Sequence, residues 1–173
     1  MRYRLPLLAL LVLPLAQCSC QRDADTLPTA QVPVDATLAG ASRDEPNARN
    51  RAIADASSAA AQAAAATLHA YLGALPAADR TRADAYWAGG DPGRTPGDAA
   101  LRAIPGLRSM RIQNAPPVAL DRESPPRAYE IPVDLRLDTA SGPARMRGAY
   151  RMRSRIDGRG WEITSASLHP DLD

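Results

Sequence analysis

The sequence predicts an α+β domain in which N-terminal helices pack on a curved antiparallel sheet of about four strands. Apolar residues follow helical spacing only before Pro105-Gly106, and after Gly106 the period switches to two. The length agrees: of 173 residues, 44–173 remain for folding after a leader and a polar linker are set aside, enough for one core.

The first helix is expected from Asp44, with Pro46 in its first turn, to Leu75. Ala59 to Ala66 has high helix propensity but little to bury, which suggests a loosely packed or frayed extension. Leu68, Tyr71, Leu72 and Leu75 form the i, i+3, i+4, i+7 stripe of a core-facing helix. A second helix is predicted from an Asp79 N-cap to Trp87, before Gly89-Gly90, with Ala83, Tyr86 and Trp87 on its apolar side. Thr95-Pro96-Gly97-Asp98 combines a cap, a first-turn proline and an acid, and signals a third helix to Ile104.

Strands follow. Tyr129, Ile131, Val133, Leu135 and Leu137 alternate with Glu130, Asp134, Arg136 and Asp138. Over residues 144–156 the inward set is Met146, Tyr150, Met152 and Ile156, against Arg145, Arg147, Arg151, Arg153 and Arg155. Asp157 to Gly160 makes a hairpin into a closing strand from Trp161 to Leu168. An earlier strand covers Leu107 to Gln113, and the proline-rich stretch 114–128 is a loop.

The core is expected to be thin, because much of the 45% apolar content is alanine and there is no Phe. All 21 basic residues are Arg, and the net charge of +2 is carried by Arg2 and Arg4, leaving 19 Arg against 19 acids beyond them. That balance argues against nucleic acid as a partner.

Arg2 and Arg4 precede an apolar run from Leu5 to Ala16, too short to span a bilayer, which ends in Leu15-Ala16-Gln17-Cys18-Ser19-Cys20. This resembles the lipobox of bacterial prolipoproteins. The resemblance implies a signal peptide over 1–17, a palmitate-type lipid anchor on Cys18 (alternatively Cys20), a flexible linker over 18–43, and attachment to the periplasmic face of the outer membrane. Gln17 departs from the small residue usual before the lipidated cysteine. Several acyl chains would anchor stably. No cysteine follows Cys20, so the domain has no disulfide of its own.

The order of helices followed by a meander of long antiparallel strands, with Tyr86-Trp87 closing the second helix, resembles the nuclear transport factor 2-like superfamily. That resemblance implies a cone whose interior is a pocket, used by some members for isomerase or dehydratase chemistry and by many only to bind. Tyr86, Trp87, Tyr129, Tyr150 and Trp161 are candidates to line it, or to pack the core.

Catalytic signals are weak. His69 and His169 lack metal-site spacing, and His69 sits at the edge of the helical stripe. Asp84 is a candidate base if buried, or a helix acid paired with Arg80. No metal or other cofactor is expected. The arginine row from Arg145 to Arg155 is a candidate binding face: five arginines meet three acids, and Arg136 adds to the excess. The sequence therefore favours a lipid-anchored, non-catalytic domain with a periplasmic protein partner, for example of immunity or secretion-accessory type. A small-molecule-binding or isomerase-like enzyme is the alternative.

Overall fold

The structure, a computed structural model, describes residues 37–94 and 96–171, with side chains over 45–93 and 97–171. The leader, Cys18, Cys20 and most of the linker lie outside the described residues.

Helix α1 spans Thr37–Ala74. It starts ahead of Asp44 because Thr37 to Arg43 contains no proline to stop a helix, and Pro46 consequently lies inside the helix. Residues 45–56 are exposed. Burial then follows one stripe through Ala60, Ala61 and Ala64 to Leu68, Tyr71 and Leu72, with Leu75 just beyond the end. Each of the larger side chains contributes on the order of 2 kcal/mol by leaving water.

The second helix, α2 (Thr81–Asp84), is shorter than predicted. Asp79 does not cap it: the N-cap is Arg80, and the Asp79 carboxylate accepts from the Thr81 amide (2.9 Å) and hydroxyl (2.6 Å). The chain then leaves the helix for the sheet. Trp87 bridges to Ile163 in parallel, and the Ile163 amide donates to the Tyr86 carbonyl at 2.8 Å. The third helix is likewise reduced, to a 3-10 turn (Pro96–Asp98) and α3 (Ala99–Arg102). A Cβ on Gly97 would lie 1.7 Å from the Ala166 carbonyl oxygen, so this turn docks backbone to backbone on the last strand.

Among the described residues five strands form one antiparallel sheet: β1 (Ser109–Asn114), β2 (Val118–Ala119), β3 (Ala128–Thr139), β4 (Gly142–Ser154) and β5 (Trp161–Pro170). The order is β1-β3-β4-β5, with the short β2 also paired to β3. The predicted alternation holds in β3, where Tyr129, Ile131, Val133, Leu135 and Leu137 are all buried. In β4 it holds for Met146, Tyr150 and Met152 and fails for Ile156, which is 90% exposed because the strand has ended and the chain is already turning. Arg155 lies past the strand for the same reason. A bulge at Arg151/Met152 shifts the register with β5, so that Ile163 faces inward and Glu162 pairs with Arg153. The helix-before-sheet α+β order is the one the sequence predicts.

Candidate functional site

The layer between α1 and the sheet is filled by side chains. Tyr71, on the buried stripe of α1, sits at its centre, with ring centroids 5.9 Å from Trp87, 6.0 Å from Tyr150 and 6.5 Å from Tyr86, all edge-on. Tyr71 and Tyr150 are fully buried and Trp87 is 2% exposed. Tyr129 and Trp161 form a separate pair 5.4 Å apart. The five aromatic residues predicted to line one pocket are therefore split between two packing groups, and three of them are buried.

A carboxylate stands inside this packing. Asp98, at 0% exposure, accepts from the Tyr71 hydroxyl through Oδ2 and from the Tyr150 hydroxyl at 2.5 Å through Oδ1. Its sequence position suggested a helix-start acid, but it makes no capping bond and turns inward. Burial raises its pKa above the ordinary value, against the opposing pull of the two tyrosine hydroxyls and of Arg102. Burial and the nearby Asp98 charge also push both tyrosines above their ordinary range. The Trp87 indole N–H is buried without a hydrogen bond, yet stands near enough to Tyr71 to favour its ionised form slightly.

Arg102 closes the cluster toward solvent. It donates to Asp84 at 2.6 Å and reaches the Tyr71 oxygen at 3.5 Å. Partial burial opposes its charge, but these contacts outweigh it and hold the guanidinium more firmly protonated than usual. Arg80, the partner proposed for Asp84, donates instead to the Arg102 carbonyl. The predicted histidine and acid candidates do not converge: His69 is exposed and donates to Asn114 Oδ1 at 2.8 Å, while Asp84 is occupied by Arg102. Among the described residues, no group of three His, Cys, Asp or Glu side chains could hold a metal ion.

No protein-family model matches this chain, and no curated protein sequence does. Two solved structures resemble it. One is a Mycobacterium tuberculosis protein in complex with estradiol-17beta-hemisuccinate, 18% identical with a TM-score of 0.40. The other is a Delta 5-3-ketosteroid isomerase from Mycobacterium sp., 21% identical with a TM-score of 0.41. Each alignment covers 64% of this chain and 95% of the other.

On the outward face of the sheet, most of the arginine row is matched by acids. Arg147 lies 3.1 Å from Asp134 and 3.1 Å from Asp171, and Arg151 lies 2.9 Å from Glu130. Arg153 holds Glu162 at 2.5 Å, and Arg155 approaches Asp157 at 3.6 Å and Glu162 at 3.9 Å. Arg145 is set apart. Its cross-strand partner is Arg136, whose partner on the other side is Arg111, a residue not singled out in the sequence.

Proposed function

We propose that the chain is a non-catalytic binding domain, held at the bacterial cell envelope by a lipidated cysteine, that meets a protein partner on the outward face of the sheet. One observation carries the non-catalytic part. The space in which a cone-shaped domain would hold a small molecule is occupied by Tyr71, Trp87, Tyr150 and Asp98, each 2% exposed or less. The charged hydrogen-bonding face is on the other side. The envelope address draws on the residues from Arg2 to Cys20.

The test is purification of the full chain from membranes after growth with labelled palmitate, with Cys18→Ala and Cys20→Ala alongside, followed by cross-linking in periplasmic extract. Label lost in one cysteine variant, and a cross-linked protein recovered from the wild type, are the expected results. An unlabelled chain that recovers no partner would end this reading.

A second reading, an isomerase-like enzyme, draws on Asp98, a buried carboxyl with raised pKa beside two tyrosines. Formation of a conjugated enone from a Δ5-3-ketosteroid, abolished by Asp98→Asn, would establish it.

A further inference from the structure

Strand registers place Arg111, Arg136 and Arg145 side by side across β1, β3 and β4. Arg111 and Arg136 are exposed and Arg145 is half-buried. Among the described residues, no carboxylate lies within ion-pair distance of any of the three. Like charges directly opposite one another on a sheet are unfavourable. Elsewhere on this face an acid stands opposite an arginine, Asp134 against Arg147 and Glu130 against Arg151. A depression of about 360 Å³ lies at Arg136 and Arg145, with Leu137, Pro143, Ala144 and Asp171 completing its lining. Asp171, whose amide donates to the Arg145 carbonyl at 3.0 Å, turns its carboxylate to Arg147 at 3.1 Å.

We infer that this three-arginine row is a docking strip for a carboxylate-bearing segment of a partner protein. The inference rests on reading the domain as a partner-binding one, and it names the chemistry of what is bound. The strip is one residue wide and crosses two inter-strand spacings, about 10 Å. Asp138 borders it on one side and Asp134 on the other. A continuous anionic surface such as a lipid bilayer would press against those carboxylates. A narrow acidic segment laid across the strands meets guanidinium forks, whose planar geometry suits carboxylates.

The experiment is anisotropy of fluorescein-labelled octaglutamate titrated at low salt with the full chain, the triple variant Arg111→Gln/Arg136→Gln/Arg145→Gln, and the paired-face variant Arg151→Gln/Arg153→Gln. Octaglutamate binds the wild type and octaglutamine does not. The triple variant weakens binding about tenfold, as three modest surface contacts predict. The paired-face variant stays within twofold. The Tm of the triple variant does not fall below that of the wild type, because the row repels itself. If the triple variant unfolds, Arg136→Gln alone weakens binding about threefold.

Equal binding by the wild type and the row variants overturns the strip. So does row-dependent binding of inorganic phosphate or phosphatidylglycerol vesicles without binding of octaglutamate. If periplasmic cross-linking recovers the same partner with and without the row, the strip fails and the binding-domain reading stands; if it recovers none, that reading fails too.

Discussion

The two faces of the sheet handle charge in opposite ways. Inside, one carboxylate satisfies two tyrosine hydroxyls from segments 27 and 52 residues away, and all three residues are buried. Outside, most arginines of β4 meet one or two acids, with side chains that are mostly a quarter to a half or more exposed. Low dielectric makes each inner group costly to orphan, whereas water and salt screen each outer one. The difference teaches that the count of polar contacts on a face says little about what holds the fold. One buried carboxylate outweighs a row of surface ion pairs.

Asp98→Ala is the largest expected break. It leaves two buried hydroxyls without an acceptor and opens a small void, costing about 3 kcal/mol in urea denaturation. Tyr150→Phe removes one donor and keeps the packing, so about 1 to 2 kcal/mol follows.

A pH titration of stability sharpens the comparison further. Because burial raises the Asp98 pKa, the native state keeps its proton to higher pH than the unfolded chain. The contribution of Asp98 to stability is therefore greatest below the ordinary carboxylate value of about 4 and falls as pH rises through the raised one. Asp98→Asn removes that slope. Tyr71 and Tyr150 add a second fall above about pH 10, where the unfolded chain loses phenolic protons that the native state retains. Chemical denaturation at a series of pH values reads both windows.

The smallest effect belongs outside. Arg151→Ala costs less than about 1 kcal/mol, and the cost shrinks at high salt. A larger or salt-insensitive loss would mean that the outer face is more than a screened surface.

The strands and the core stripe of α1 were legible because period-two and period-3.6 burial are written in consecutive residues, as from Tyr129 to Leu137 and from Leu68 to Leu75. Asp98 was not. Whether an acid at a helix start caps its own turn or turns inward is decided by partners distant in sequence, here Tyr71 and Tyr150. The arginine face was half legible. A two-residue turn at Ala140-Ser141 sets the β3 and β4 register that opposes Arg136 to Arg145. The placing of Arg111 depends on the long connection after β1, which carries no periodicity. Ile156 misled because the alternation of residue types runs on past the end of the strand.

The exposed stretch of α1 over 45–56 has a mechanical consequence. The Tyr129 hydroxyl donates to the Ser57 carbonyl at 3.1 Å, and this ties the helix to the sheet. From Thr37 to that tie the helix is a rod of about 30 Å at 1.5 Å per residue, and its side chains over 45–56 are exposed. A force applied at Thr37 acts through that lever arm, and load reaches the sheet as torque at Ser57 and Tyr129.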